Sequence, residues 1–254
     1  MTEKAPTLAT VSAVLPPEGA QSALGRPGGG LGVPRTRIKI CGLTREMDVD
    51  AAVTAGADAV GFVLYGKSPR FVTPQRAAEL ARRLPPFVTP VLLVVNASPQ
   101  AIRAACDLAP TATLQFHGDE TPAQCLAAAG TRPFLRAARI PVGEAGRGFD
   151  LVKYALDYSA AQAILLDADV EGFGGGGKAF DWSLLPPSVD AHLVLSGGLT
   201  PANVADGITQ LRPRCKSLAV DVSSGVEASK GIKSADKIHQ FVAAVRAADK
   251  PIAG

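Results

Sequence analysis

The chain has 254 residues, of which 47% are hydrophobic, and its 26 Lys and Arg against 23 Asp and Glu leave a formal net charge of +3. That balance excludes an electrostatically driven nucleic-acid binder or an anionic-membrane binder, and no apolar run reaches the ~20 residues of a membrane-spanning helix. Cys41, Cys106, Cys125 and Cys215 form no C-x-x-C pair and the three histidines are equally scattered, which argues against a disulfide framework or a structural zinc site.

Residues 1–36 carry Pro16-Pro17, Gly28-Gly29-Gly30 and Pro34 without sustained periodicity and are expected to form a disordered leader. Val11 to Leu15 is too short for a signal-peptide core, and the segment lacks the arginines of a transit peptide, so a cytoplasmic location is expected. From Arg37 to Lys250 the pattern changes. Val/Ile/Leu-rich runs at Ile38–Cys41, Ala59–Leu64, Pro90–Val95, Thr113–Phe116, Pro133–Ala137, Ala163–Leu166, His192–Leu195 and Leu218–Val222 alternate with helical stretches. Continuous apolar strands between helices indicate a parallel sheet covered on both faces. Thr73-Pro74, Ser98-Pro99, Thr121-Pro122 and Thr200-Pro201 each follow a strand by a few residues, as hydroxyl caps with proline in the first turn. The last helix places Ile238, Phe241, Val242 and Val245 on one stripe. Eight strands and about eight helices suit a single (β/α)8 TIM barrel. A doubly wound open sheet is the alternative, but the first turn, Cys41-Gly42-Leu43-Thr44, has no G-x-G-x-x-G.

In a barrel the chemistry belongs at the strand C-termini. Side-chain alternation puts Cys41 on one face with Lys39 and Arg37, away from Ile38 and Ile40, and so into the mouth. Gln115 and His117 share a face, and Asp167 and Asp221 stand at or near strand ends. Taken singly, a strand-end Asp is more often a loop cap and Cys a buried filler; together they form a converging polar set. Leu195-Ser196-Gly197-Gly198 and Val222-Ser223-Ser224-Gly225 follow the last two strands, where this fold binds phosphate. Gly172 to Ala179 fits G-x-x-x-x-G-K, but Ala179 stands where a nucleotide loop needs Ser or Thr, and a flap over the mouth is expected instead.

At these residues the sequence resembles the phosphoribosylanthranilate isomerase family. The resemblance is carried by KICGLT (Lys39 to Thr44), GADAVGFVLYGKSPRFV (Gly56 to Val72), LQFHG (Leu114 to Gly118), LLDA (Leu165 to Ala168), GGGKAFDW (Gly175 to Trp182), LSGGLTPANV (Leu195 to Val204) and VDVSSGVE (Val220 to Glu227). It implies a barrel catalysing a cofactor-free, metal-free Amadori rearrangement of a small phosphosugar, by a monomer or homodimer. By position it implies Cys41 as general base, Asp167 as general acid and Arg70 at the anthranilate end. It further implies Gly197, Gly198, Ser223, Ser224 and Gly225 at the phosphate, and Gln115, His117 and Asp221 at the mouth. Phe116 and Ala179 depart from the family's pattern, and the leader has no counterpart in it.

The chemistry asks for such a pair independently. An aldose-to-ketose shift needs one acid at the ring oxygen and one base at C2′. Asp167 must be neutral to donate, which burial would favour. Cys41 must be thiolate to accept, which calls for a lowered pKa. Arg70 suits a two-pronged contact with a carboxylate. A histidine-pathway isomerase would carry a carboxylate in place of Cys41. An indoleglycerol-phosphate synthase type of lyase would need a mouth lysine, whereas Lys39 lies a step deeper and is expected to be a paired structural charge. A non-enzymatic phosphate binder would not need Cys41, Asp167 and Arg70 together.

Overall fold

The computed structural model describes residues 35–169 and 181–250. The expected flap at Gly172 to Ala179 and residues 1–34 of the expected leader lie outside them.

Strands β1 (Arg37–Cys41), β2 (Ala59–Val63), β3 (Thr89–Val94), β4 (Thr113–Phe116), β5 (Phe134–Pro141), β6 (Ala163–Asp169), β7 (Val189–Leu195) and β8 (Cys215–Val222) form a closed barrel in chain order. All neighbours are parallel, and β8 returns to β1 through Arg37 opposite Ala219 and Ile40 opposite Val222. Around it lie α1 (Glu46–Ala55), α2 (Pro74–Ala81), α3 (Pro99–Leu108), α4 (Pro122–Ala129), α5 (Leu151–Asp157), α6 (Val204–Leu211) and α7 (Ala235–Ala248). Between β6 and β7 the described residues form only a 3-10 turn, Trp182–Leu184. A short hairpin, β9 (Glu227–Ser229) and β10 (Ile232–Lys233), follows β8.

The two faces of the strands build two kinds of core. Ile38 and Ile40 join the main layer between strands and helices, which also takes Phe62, Leu92, Leu114, Val220 and the α7 stripe. Inside the barrel, Cys41 packs with Val63, Leu93 and Val95 at the mouth, while Ala137, Leu165 and Val194 fill a separate interior cluster. Leu165 lies one inward step below Asp167, so the polar residues stand on an apolar floor.

Three of the four expected caps close as anticipated: Thr73, Ser98 and Thr121 accept from the amides of Arg76, Ala101 and Gln124, each with Pro in the first turn. The fourth differs. Thr200 and Pro201 make a turn in which the Thr200 amide donates to Asn203 Oδ1, and α6 starts only at Val204. Strands β5 and β6 also run further than expected, pairing up to Arg139 opposite Asp167 and Pro141 opposite Asp169. Asp167, within that extension, lines the cleft at the mouth. Thr36, expected to close the leader, is instead a buried part of the barrel rim; its amide and hydroxyl donate to Asp249 at 2.9 and 2.7 Å.

Candidate active site

Cys41 at the tip of β1, Asp167 in β6, Asp221 in β8, Gln115 in β4, His117 just beyond it and Arg70 in the loop after β2 all line one cleft at the C-terminal mouth. The cleft opens to solvent. Gly197, Gly198, Ser223 and Ser224 form part of its wall.

On the β1 side, Cys41 is buried, and directly opposite it in register stands Gly61 of β2. A Cβ at Gly61 would lie 2.7 Å from the Cys41 sulfur and 3.1 Å from Lys39 Nζ, so the missing side chain leaves a space that thiol and ammonium both border. Lys39 Nζ donates to Asp221 Oδ1 at 2.7 Å, and Ser196 Oγ donates to Asp221 Oδ2 at 3.1 Å. Burial pushes the Cys41 thiol up; the Lys39 charge and hydrogen bond pull it down, Asp221 adds to the rise, and the net result lies above the ordinary thiol. The lowered thiol expected from sequence is therefore not the ground state of this cleft, because enclosure outweighs the one cation in contact. Burial opposes the charge on Lys39, but Asp221 and Cys41 win and hold it above the usual lysine range. Lys39 is paired with Asp221, as its depth suggested; the gap at Gly61 that it shares with Cys41 is new.

Across the cleft, Asp167 Oδ1 accepts the Ala168 amide at 3.0 Å, and Oδ2 lies 2.9 Å from His117 Nε2. His117 Nδ1 lies 3.0 Å from the Gln115 side-chain amide. All three side chains are buried, so the tautomer of His117 decides whether the shared proton belongs to the ring or to the carboxyl.

Arg70 is already gripped. Its Nε and Nη2 donate to the two oxygens of Glu227 at 2.6 and 2.9 Å, and Lys233 Nζ adds a third bond to Glu227 at 3.0 Å. Burial raises the Glu227 carboxyl, but the Arg70 bond and the Lys233 charge more than reverse this and hold it below the usual carboxylate range. Lys233, itself lowered by burial, also reaches the Ser223 carbonyl at 2.9 Å. Ser223 Oγ donates to the Cys41 carbonyl at 3.0 Å, which ties the last loop to the β1 tip. Glu227 thus occupies the Nε–Nη2 edge of Arg70.

Gly197 and Gly198 take φ of +74° and +69°, a region that favours glycine. A Cβ on Gly197 would come within 2.6 Å of the Ala168 amide and 2.9 Å of Asp167 Oδ1, so this loop lies against the carboxyl group. Gly225, expected at the phosphate, does not line the cleft; it packs its Cα onto the Leu199 carbonyl, joining the two loops back to back. Sequence reasoning missed Glu227 and Lys233. Both stand within or just after the VDVSSGVE run, but nothing local marks them as partners of Arg70.

A family model described as N-(5'-phosphoribosyl)anthranilate (PRA) isomerase matches residues 38–244. The chain belongs to the phosphoribosylanthranilate isomerase family. Membership makes it an isomerase. It is 64% identical over 219 residues to the N-(5'-phosphoribosyl)anthranilate isomerase of Methylibium petroleiphilum, covering 86% of this chain and 98% of that one. The crystal structure of phosphoribosyl anthranilate isomerase from Thermotoga maritima superposes with a TM-score of 0.73 at 39% identity, covering 84% of this chain and 99% of that chain. A further family structure, in complex with reduced 1-(o-carboxyphenylamino)-1-deoxyribulose 5-phosphate, gives a TM-score of 0.67 at 36% identity, over 84% of this chain and 99% of that one. No helix among the described residues is long and apolar enough to cross a membrane.

Proposed function

We propose that this isomerase converts N-(5-phosphoribosyl)anthranilate into 1-(2-carboxyphenylamino)-1-deoxyribulose 5-phosphate in tryptophan biosynthesis, with Asp167 as general acid and Cys41 as general base. The observation that carries the reading is the single cleft: Cys41 and Asp167 line it together, with the two glycine loops at its wall. The family complex with the reduced phosphosugar supports the same substrate class.

The phosphate lies against Gly197, Gly198, Ser223 and Ser224 and anchors the sugar by binding energy remote from the reacting atoms. Asp167 gives its proton to the furanose ring oxygen. The C1′–O bond breaks toward that oxygen, and the anilino nitrogen's lone pair forms the iminium. Cys41, as thiolate, then takes the C2′ proton, whose electron pair enters the enolamine, and tautomerisation gives the aminoketose. For Asp167 to act first as acid, the proton shared with His117 starts on the carboxyl. Nε2 is then the acceptor and Nδ1 carries the ring proton, which requires the Gln115 amide to turn over so that its unpartnered Oε1, in place of the Nε2 that faces the ring at 3.0 Å, accepts from Nδ1. The Nη1/Nη2 edge of Arg70 receives the anthranilate carboxylate. No redox group or metal enters these steps. All the residues in the reading come from one barrel, so monomer and homodimer are equally competent, and a cytoplasmic location belongs to the same reading.

Purified protein incubated with phosphoribosylanthranilate should extinguish the substrate's fluorescence, and the Cys41→Ala and Asp167→Asn proteins should not. Persistent fluorescence with the unaltered protein would sink the reading.

A further inference from the structure

We propose that Lys39 and Asp221 form a charge balance beneath Cys41: Lys39 is the positioning residue that stabilises the thiolate against burial whenever the sulfur gives up its proton, and Asp221 limits how much of the ammonium's charge the sulfur receives. The inference rests on Cys41 being the base.

Three strands and a gap build this arrangement. Lys39 and Cys41 share the inward face of β1, two residues apart, so the lysine stem climbs toward the thiol. Asp221 stands opposite Lys39 in register on β8 and takes one ammonium proton at 2.7 Å. Gly61 stands opposite Cys41 on β2, and its bare Cα leaves a space bordered by both Nζ and Sγ. Any larger residue at position 61 would fill that space.

The other charges near the sulfur are already committed. Arg70 and Lys233 both bind Glu227. Asp167 and His117 pair with each other on the opposite side of the cleft. Lys39 lies on the sulfur's own face of β1, and its charge draws the thiol down against burial while Asp221 pushes it up. Ser196 donates to the second Asp221 oxygen and so fixes the carboxylate in place.

This arrangement suits a base that changes charge in each cycle. When the thiolate takes the C2′ proton, an S–H bond forms and the anionic partner of Lys39 disappears. Asp221 keeps the ammonium paired in both states, so no buried cation is left alone. When the proton leaves again, Lys39 is already in place to receive the thiolate.

The test reads the sulfur directly, by following carboxamidomethylation of Cys41 with iodoacetamide across pH and measuring the Cys41 peptide by mass spectrometry. In Lys39→Met the alkylation midpoint should rise by about one pH unit or more, with kcat falling by about tenfold and KM little changed. In Asp221→Asn the midpoint should fall instead. Lys39→Met leaves Asp221 buried without its cation, so the Lys39→Met/Asp221→Asn double variant is also measured, and it should keep the high midpoint. Loss of fold alone would move both single variants the same way. A wild-type midpoint in the double variant, or a rise in Asp221→Asn, would overturn the proposal. If instead Cys41→Ala turns over normally while the midpoints shift as stated, the base assignment fails and the charge balance stands.

Discussion

Arg70 and Glu227, 157 residues apart in the chain, meet edge to edge in the cleft wall, Nε to Oε1 at 2.6 Å and Nη2 to Oε2 at 2.9 Å. The pair fixes the plane of the guanidinium and so the direction in which its free edge points. A lysine at position 70 could reproduce neither the two bonds to Glu227 nor a two-pronged grip on a ligand. Arg70→Lys should raise KM for the anthranilate substrate by about tenfold or more, with a smaller loss in kcat. Glu227→Gln, which weakens the orienting grip while keeping the arginine, should show the same pattern to a lesser degree. Steady-state kinetics decide it, and an unchanged KM in Arg70→Lys would remove the anthranilate role.

Cys41→Ala and Asp167→Asn should each lower kcat by roughly 10²–10⁴-fold, the range general acid–base groups supply. Neither side chain is a large part of the core, so far-UV circular dichroism should be unchanged. Turnover within a few-fold of the unaltered enzyme in either variant would reassign that residue.

Glu227 also makes a prediction about acid. Its folded-state pKa is depressed, so it contributes stability above its unfolded value, about 4.3, and loses it as pH falls through the lower folded value. The stability gap between the unaltered protein and Glu227→Gln should therefore be widest near neutrality and shrink below about pH 4. Urea unfolding in the two pH ranges tests this; a gap that widens on acidification would contradict the sign.

Gly197→Ala should be damaging for two reasons: the residue sits at φ +74°, and its new Cβ would press on Ala168 and Asp167. We expect a fall in kcat/KM of at least about tenfold, with weaker inhibition by inorganic phosphate. Gly66→Ala is the control, since nothing lies within 4 Å of its Cβ position. Equal kinetics for the two variants would separate the Gly197 loop from the site.

Much of the barrel is legible in the amino-acid sequence alone. The eight apolar runs mark the staves because a strand buried on both faces leaves few places for polar residues, and Thr73, Ser98 and Thr121 announce their helices through local bonds. Parity alone turns Cys41 inward. What escapes depends on distant partners. The far ends of β5 and β6 look like loop because Arg139 and Asp167 are charged, and only the closed ring pairs them in register and gives Asp167 its buried place at the mouth. Lys39 reads as a structural ion until Gly61, on another strand, is seen to leave room above it. Glu227 is an ordinary acid in sequence; its importance lies in an arginine from a distant part of the chain.

The rim where β8 meets β1 carries one last implication. Thr36 bonds Asp249, Arg212 reaches both of them, and Arg246 donates to the Thr36 carbonyl at 2.7 Å. The seam of the ring is thus riveted as firmly as any interior joint, and geometry gives the first stave no privilege over the fifth. A gene rearranged to open in the turn between α3 and β4, with a short bridge joining residues 36 and 249, should lay down the same ring around the same chemistry.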